Sequence, residues 1–365
     1  MKHRKILLSW MLLCIGLAVA AQEEPVSYDF AVLGDMHYAA AYFYPDLSGH
    51  PKRKSIRKYI RMWEHGSHDL LRAAGQTAGA AKARFVIQLG DLTNGECPSG
   101  RAQEEMFRRA FGIVKSCFPK IPLYTVIGNH DVRLQNGSSA DPVRKALLPL
   151  AAKELGSKKL QSGNYGFRIG QDLFIALDCF TADEDPADFV CRTLSENPDT
   201  RYVFLLTHYP LFPASIRSSL SLVPKYARII SLLEKRRAVI LAAHTHCFSR
   251  TTLISKQGRL TQLVVASLGA SWRNEFWRRK LLGNRLKMVD SWPGYVAKIK
   301  KRSSGKKESA ALLSELDDIE ARGTYETEHY AEQSGFVIIK VSDRRIQAEI
   351  YLDDGGSPGL SLDLL

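Results

Sequence analysis

The feature that most constrains this chain is a short, mostly apolar segment that ends in four chemically capable residues. Pro122 to Ile127 is followed at once by Gly128, Asn129, His130 and Asp131. An amide, an imidazole and a carboxylate are not needed to end a strand, whereas each has metal-binding or proton-transfer roles. The segment therefore predicts a strand that presents functional side chains at its tip.

Four other strand-like segments end in a similar way. They are Tyr28 to Leu33 before Asp35 and His37, Arg84 to Leu89 before Asp91, Arg201 to Leu206 before His208, and Ala238 to Ala242 before His244 and His246. Taken singly, an Asp after Gly or a lone His is more often a turn or structural residue. However, five of the chain's ten histidines lie at these strand ends. The joint pattern predicts one site rather than five coincidences.

The segments between these strands predict an α/β fold. Apolar spacing indicates helices over Ser55 to Lys82, broken at Gly66, and over Ala102 to Phe118. The alternation of strand and helix predicts a mainly parallel sheet whose strands carry ligands at their carboxyl ends. Further expected elements are hairpins at 164–177 and 335–352, helices near 187–194 and 226–237, and a strand at 260–267.

The first 21 residues have the pattern of a secretory signal peptide. Lys2, Arg4 and Lys5 form a basic start, Ile6 to Ala20 is apolar, and Ala18-Val19-Ala20 is a small-x-small cleavage pattern. The apolar run is shorter than the ~20 residues of a membrane-spanning helix, although an uncleaved anchor is the alternative. We therefore predict a secreted or periplasmic protein, with residues 22–365 as one domain and no transmembrane span after cleavage.

Charge and cysteine content limit the partners less strongly. Loss of Lys2, Arg4 and Lys5 lowers the formal net charge from +13 to +10. This favours anionic substrates or surfaces, although a merely soluble basic protein has the same composition. Cys14 also leaves, and the five remaining cysteines include no CxxC pair, which argues against a structural zinc site. No sequence feature specifies an oligomeric state.

Residues 271–333 predict an inserted cap. The segment is rich in tryptophan and basic residues and is too long for a simple connection. A helical lid whose tryptophans pack on the body is the favoured interpretation, and a membrane-surface or polyanion role is the alternative. With the loop from Tyr38 to Pro51, this segment is expected to form the walls of the cleft.

The polar residues at the strand ends form a metal-ligand set. It comprises seven oxygen or nitrogen donors: Asp35, His37, Asp91, Asn129, His208, His244 and His246. Carboxylates, imidazoles and one amide, with no cysteine, suit divalent or trivalent Mn, Fe or Zn ions. Seven donors are too many for one tetrahedral ion and about right for two.

The motifs, in this order, resemble those of the calcineurin-like metallophosphoesterases. They are Asp35-x-His37, Gly90-Asp91, Gly128-Asn129-His130-Asp131, His208 and His244-x-His246, and the resemblance covers about Tyr28 to Ser267. It implies a four-layer α/β/β/α sandwich of two mixed sheets, with a dinuclear metal site at the carboxyl ends of the strands. The absence of the metal-binding tyrosine of purple acid phosphatases, at Asn94, favours the cyclic-nucleotide phosphodiesterase-like and small phosphoesterase subgroup.

The resemblance also implies a role for each matching residue. One metal would be held by Asp35, His37 and His246, the other by Asn129, His208 and His244, with Asp91 bridging them. His130 would stand beside the phosphate and stabilise or protonate the leaving oxygen. We predict His130, Asn129 and Asp131 as catalytic residues. Two ions of this kind lower the pKa of a bridging water for in-line attack on the phosphoryl group.

Two departures from the family pattern are visible. Gly90 to Glu96 lacks the Asp and Arg that the protein phosphatases of this superfamily carry there, which leaves Asp131 or Glu96 as candidates to orient His130. Ala243 stands where the family usually has glycine before His-x-His. The extra methyl group is tolerated if Ala243 has a negative φ.

The sequence thus predicts an exported, metal-dependent phosphoesterase acting on a small phosphomonoester or phosphodiester. The alternatives are a degenerate family member that serves as a binding module, and a secreted nuclease. Nucleic acid is the less favoured partner because no nucleic-acid-binding module is recognisable.

Overall fold

The computed structural model describes residues 27–157, 159–180, 184–212, 226–268, 301, 314, 317–329, 334–352 and 356–365. The predicted signal peptide and most of the predicted cap lie outside these residues. Among the described residues, no helix combines the length and hydrophobicity that crossing a membrane requires.

The first sheet has six strands around the amino-terminal βαβαβ unit. Their spatial order is β15 (Pro358–Asp363), β14 (Ile346–Leu352), β13 (Gly335–Val341), β1 (Tyr28–Leu33), β2 (Val86–Gln88) and β3 (Leu123–Thr125). β1, β2 and β3 are parallel as predicted, with Val32 opposite Ile87 and Ile87 opposite Tyr124. β13 runs antiparallel to β1, so the sheet is mixed.

The second sheet has seven described strands. Their order is β12 (Gly323–His329), β10 (Ser249–Ser255), β11 (Gly258–Val264), β9 (Ala238–Ala242), β8 (Val203–Leu206), β7 (Asp172–Ala176) and β6 (Tyr165–Ile169). The four strands β7, β8, β9 and β11 are parallel, and the others pair antiparallel. A separate ribbon joins β4 (Arg133–Leu134) and β5 (Gly137–Ser138).

The predicted cap extends too far along the chain. Gly323–His329 falls inside the predicted 271–333 segment but pairs with β10 along its whole length. Its sequence is mostly polar because it lies at the edge of the sheet, where charged side chains protect an unpaired strand from further pairing. The end of the segment is therefore part of the body.

The described helices cover the outer faces of the two sheets. α1 (Arg53–His65), α2 (Ser67–Ala80), α3 (Gly100–Cys117) and α4 (Asp141–Glu154) pack on the first sheet, and α5 (Pro186–Glu196) and α6 (Tyr226–Leu233) pack on the second. In β1, Ala31 and Leu33 face the helices, whereas Phe30 and Val32 face the other sheet. The predicted four-layer α/β/β/α sandwich is confirmed.

An aromatic layer joins the two sheets. Phe30 stacks on Phe85 with ring centroids 4.8 Å apart, and Phe174 stacks on Phe204 at 4.6 Å. All four rings are buried, and Phe174 meets Phe30 edge-on across the sheets. Because buried aromatic side chains bring large apolar areas out of water, this layer fixes the sheets against each other.

We expect Phe174→Ala to lower the free energy of unfolding by about 3–5 kcal/mol, because it leaves a cavity between the sheets. Urea unfolding followed by circular dichroism measures the loss. Tyr42→Ala is the control: Tyr42 is 54% exposed, so its removal should cost less than about 1 kcal/mol. Equal losses for the two variants would contradict the importance given to the aromatic layer.

Candidate metal centre

The structure brings all seven predicted ligands together where strands of both sheets end. Asp35, His37 and His246 place their donor atoms within 4.8 Å of one another, and so do Asp91, His208 and His244. Oδ1 of Asn129 lies 3.0 Å from Nε2 of His208. The carboxyl ends of β1, β2, β3, β8 and β9 therefore supply a single cluster.

Four of these residues have a left-handed backbone conformation. The φ angles are 48° for His37, 50° for Asp91, 70° for His244 and 54° for His246. Such conformations cost of order 1–3 kcal/mol each in residues other than glycine and gather at functional sites. The strain turns the chain sharply after each strand. It falls on the two histidines and not on Ala243, so the condition for tolerating an alanine there is met.

Glycine is needed where the two central motifs touch. A Cβ atom on Gly128 would lie 2.0 Å from the backbone nitrogen of Asp91 and 2.3 Å from its Oδ1. Gly90 has a φ of 86°, and a Cβ there would lie 2.8 Å from Nδ1 of His208. These close approaches place Asp91 against the backbone that leads into Asn129.

We expect Gly128→Ala to lower metal content and hydrolysis together, because the added methyl group displaces Asp91. Gly112→Ala in α3 is the matched control, since nothing lies within 4 Å of the added Cβ. In a helix this change stabilises by about 0.5–1 kcal/mol. Metal analysis and hydrolysis assays on both variants provide the measurement. Normal metal content in Gly128→Ala would contradict the close packing of Gly128 against Asp91.

Backbone contacts hold the ligands with their lone pairs inward. Nδ1 of His208 lies 2.9 Å from the carbonyl oxygen of Leu89, so Nδ1 carries the hydrogen and Nε2 faces the cluster. Oδ2 of Asp35 accepts from the backbone N–H of His244 at 3.0 Å. Oδ1 of Asp91 accepts from the backbone N–H of His130 at 2.6 Å. Each carboxylate thus uses one oxygen to fix a loop and keeps the other for the cluster.

The remaining donors fit metal ions. Oδ1 of Asp35 is buried without a hydrogen-bond partner, and Nε2 of His37 lies only 3.0 Å from Nε2 of His246. Oδ2 of Asp91 lies 3.8 Å from Nε2 of His37 and 3.4 Å from Nε2 of His208. A buried carboxylate oxygen between imidazoles is satisfied by a cation, and the oxygen and nitrogen donors suit Mn, Fe or Zn.

The electrostatics of the cluster favour positive charge. Burial lowers the pKa of His37 well below its usual value and that of His244 to about 4. Burial also acts to lower the pKa of His208, but the carboxylates of Asp91 and Asp35 outweigh it and raise that pKa to about 9. Burial acts to raise the pKa of Asp91, yet His208 and His130 hold it well below its usual range. Two buried carboxylates therefore attract cations to this place.

The Asn129 amide lies between the metal ligands and Arg133, and its two orientations have different partners. With Nδ2 inward, it donates to His208 and His244 while Oδ1 accepts from Nη2 of Arg133 at 2.8 Å. With Oδ1 inward, three lone pairs converge from Asn129, His208 and His244, and Nδ2 joins Arg133 as a donor on the outer side. Binding of a metal ion by this amide would require Oδ1 inward.

His130 stands beside the cluster, and both of its ring nitrogens have other partners. One of its ring nitrogens lies within 4.8 Å of donor atoms of His37 and Asp91. Its ring meets that of His37 edge-on, with centroids 4.4 Å apart. However, both ring nitrogens are engaged: Nδ1 lies 2.9 Å from the carbonyl oxygen of Asn94, and Nε2 lies 2.9 Å from Nη1 of Arg133. This agrees with the role outside the metal ligands that the resemblance implied.

The expectation that Asp131 or Glu96 orients His130 is wrong, because the carbonyl of Asn94 does so. Asp131 is fully buried and accepts from the backbone N–H groups of Thr93, Gly128 and Leu92 and from the Thr93 hydroxyl. Burial, with the nearby Asp91, raises its pKa to about 7. Asp131 therefore clamps the Gly90–Asn94 and Gly128–His130 loops together and acts as a positioning residue rather than a catalytic one.

Sequence reasoning missed Arg133, Tyr59 and Tyr209 at this site. The Tyr59 ring lies 4.5 Å from that of His37, and the Tyr209 ring lies 4.7 Å from that of His244. Tyr209 directly follows His208, and Arg133 follows His130 by three residues, so proximity to the motifs was the available signal. Tyr59 had no such signal because the packing of α1 brings it there.

The two tyrosines in the middle of the predicted wall loop, Tyr38 to Pro51, have different environments. Tyr44 is buried and donates to the carbonyl oxygen of Gly95, so it is not a stacking surface, whereas Tyr42 is exposed. Trp63 donates to the carbonyl oxygens of Met36 and His37 and so holds the first motif. Trp272 and Trp277, which belong to the predicted cap, lie outside the described residues.

Comparison with protein-family models identifies the family of this chain. The family model for calcineurin-like phosphoesterases matches residues 28–248, and the chain therefore belongs to that family. It is a hydrolase of phosphoric esters, and the family implies a dinuclear metal site. The resemblance inferred from the motifs is confirmed. No curated protein matches the sequence significantly.

Several solved structures are similar to this chain at low sequence identity. A dimetal phosphatase from Danio rerio is 13% identical, with a TM-score of 0.53 over 93% of this chain and 99% of that one. PhoD is 12% identical, with a TM-score of 0.48 over 93% and 72%. GAP50, the anchor in the inner membrane complex of Plasmodium, is 10% identical, with a TM-score of 0.48 over 93% and 88%.

Proposed function

We propose that this chain is an exported phosphoesterase that uses two Mn, Fe or Zn ions to hydrolyse a small phosphomonoester or phosphodiester. The observation that carries the proposal is the Asn129 amide. One side of it faces the imidazoles of the metal cluster and the other faces the Arg133 guanidinium. A cation bound by Oδ1 and a phosphate bound by Nδ2 would both require the same orientation of the Asn129 amide.

Each residue of the site has a definite role in this proposal. Asp35, His37 and His246 would hold one ion, Asn129, His208 and His244 the other, and Asp91 would lie between them. When bound, the ions activate water and neutralise the charge of the phosphoryl group. Asn129 turns Nδ2 to the substrate, and as a neutral amide it does so without repelling an anion. His130, anchored on Asn94, stands at the same side.

Export is supported by the amino-terminal sequence. The basic start, the apolar run and the small residues before residue 22 agree with a cleaved signal peptide and with a secreted or periplasmic location. The amino terminus of the protein recovered from the medium or periplasm tests this. Cleavage near residue 21 is expected, and an intact leader on cytoplasmic protein would contradict it.

Hydrolysis of p-nitrophenyl phosphate and bis-p-nitrophenyl phosphate, with and without added Mn²⁺, tests the activity. Metal-dependent cleavage of either ester is the expected result. A protein that stays inert on both after metal is supplied would contradict the proposal and favour a degenerate binding module. Cleavage of single-stranded DNA in preference to both esters would favour the nuclease.

A further inference from the structure

We propose that Arg133 binds the terminal phosphoryl group of a phosphomonoester, and that His130 holds the guanidinium in place instead of donating a proton to the leaving group. The inference rests on the proposed phosphoesterase function and narrows its substrate to monoesters. Arg133 supplies the guanidinium that the Gly90–Glu96 motif lacks, from a different position in the chain.

The hydrogen bonds of His130 fix where its proton lies. Nδ1 is 2.9 Å from the Asn94 carbonyl oxygen, which can only accept, so Nδ1 carries the hydrogen. Nε2 is 2.9 Å from Nη1 of Arg133, which can only donate, so Nε2 presents its lone pair. Both ring nitrogens are therefore engaged, and Nε2 is occupied by the guanidinium. Its contact with Arg133 restricts the guanidinium to one orientation.

The other side of the guanidinium meets Asn129. Nη2 lies 2.8 Å from the outward atom of the amide, which is Nδ2 when Oδ1 faces the metal ligands. In that orientation two donors lie 2.8 Å apart and repel each other, and a negatively charged oxygen that accepts from both would relieve the repulsion. Charge-assisted hydrogen bonds from guanidinium to phosphate are among the strongest in proteins.

Arg133 also lacks a carboxylate partner within the described part of the chain. Its side chain is half-buried, and no acidic oxygen in that part lies within 4.0 Å of it. Two other half-buried arginines are paired with carboxylates, Arg201 with Asp172 and Arg144 with Asp178. A partly desolvated cation at the rim of a metal cluster is stabilised by an anionic substrate.

The number of phosphoryl oxygens then decides the substrate class. A monoester has three non-bridging oxygens and a dianionic charge, so one oxygen would remain for Arg133 and Asn129 if the ions held the other two. A diester has only two non-bridging oxygens. Its second ester oxygen would face the guanidinium, and this oxygen carries too little negative charge to accept strong hydrogen bonds from it. Arg133 therefore stabilises the transition state of monoester hydrolysis more than that of diester hydrolysis.

The test compares Arg133→Ala and Arg133→Lys with Arg168→Ala. Arg168 is exposed on β6, opposite Leu173 at the start of β7, so it carries the same charge far from the motifs. For Arg133→Ala we expect kcat/KM on p-nitrophenyl phosphate to fall by about 10²-fold, as for loss of one preorganised donor. Hydrolysis of the diester should change by less than about 3-fold, which is below 1 kcal/mol. Lysine should restore part of the loss, and Arg168→Ala should match the wild type.

Two further measurements separate a contact with phosphate from a structural effect. Calorimetry should show inorganic phosphate binding at least about 10-fold more weakly to metal-loaded Arg133→Ala, corresponding to about 1.4 kcal/mol, at unchanged metal content. His130→Ala should lower hydrolysis of phenyl phosphate and p-nitrophenyl phosphate by the same factor. A general acid would instead matter more for phenyl phosphate, whose leaving group is the poorer one.

Equal losses on monoester and diester in Arg133→Ala, or unchanged phosphate affinity, would overturn the role of Arg133. A larger loss on phenyl phosphate in His130→Ala would overturn the role of His130. A wild type inert on both esters would contradict the proposed function itself. The calorimetric comparison would then still decide whether Arg133 binds the anion.

Discussion

Replacing Asp91 with asparagine should remove more activity than any other single change, because this carboxylate lies between both groups of metal ligands. Its Oδ2 is 3.8 Å from Nε2 of His37 and 3.4 Å from Nε2 of His208. Asparagine keeps an acceptor for the His130 N–H but loses the charge and one oxygen ligand. We expect bound metal to fall from about two ions per chain to fewer than one, and hydrolysis to fall by at least about 10³-fold, or about 4 kcal/mol.

Asp141→Asn is the matched control for this prediction. The Asp141 side chain is 90% exposed at the start of α4, so the change removes the same charge without touching the site. Elemental analysis and p-nitrophenyl phosphate hydrolysis on both variants provide the measurement. Full metal occupancy in Asp91→Asn would rule out the bridging position assigned to this residue.

The second large effect is expected at Asn129. Asn129→Ala removes a metal-facing oxygen and a donor toward the phosphate in one step, so hydrolysis should fall by about 10²–10³-fold, the range for loss of one preorganised donor. Asn129→Asp separates the two tasks. A carboxylate still binds metal, so metal content should persist, while its charge and missing N–H disfavour the incoming phosphate and hydrolysis should fall nearly as far.

Asn136→Ala provides the control in the same region of the chain. Asn136 is exposed in the turn between β4 and β5, and its removal should leave both metal content and turnover within about 2-fold of the wild type. Circular dichroism confirms that each variant is folded. Substantial turnover in Asn129→Asp would show that Nδ2 does not contact the phosphate.

The sequence predicted the framework of the fold where local patterns and tertiary packing agree. β1 and β9 have the predicted bounds, and the helix break falls at Gly66. α4 was missed because Pro149 lies inside it, and proline usually ends a helix. β10 and β12 were missed because both are largely polar, and such strands are recognised by their partners rather than by their own composition.

The metal ligands could be predicted because they follow strands, and parallel strands bring their carboxyl ends to one edge. What surrounds them could not. The contact between His208 and the Leu89 carbonyl joins the two sheets, and no local pattern encodes it. The same holds for Tyr59, which α1 carries to the site, and for Asp131, whose carboxylate turns away from His130 to bind backbone N–H groups.

We propose above all that this chain is a two-metal phosphoesterase. Its most direct test is a titration of Mn²⁺ into the chelator-treated protein, with bound metal and p-nitrophenyl phosphate hydrolysis followed in the same samples. The structure predicts about two ions bound per chain, with hydrolysis absent before metal is added and rising as the second ion binds. Binding of less than one ion per chain, or full loading without hydrolysis of any phosphoester, would contradict it.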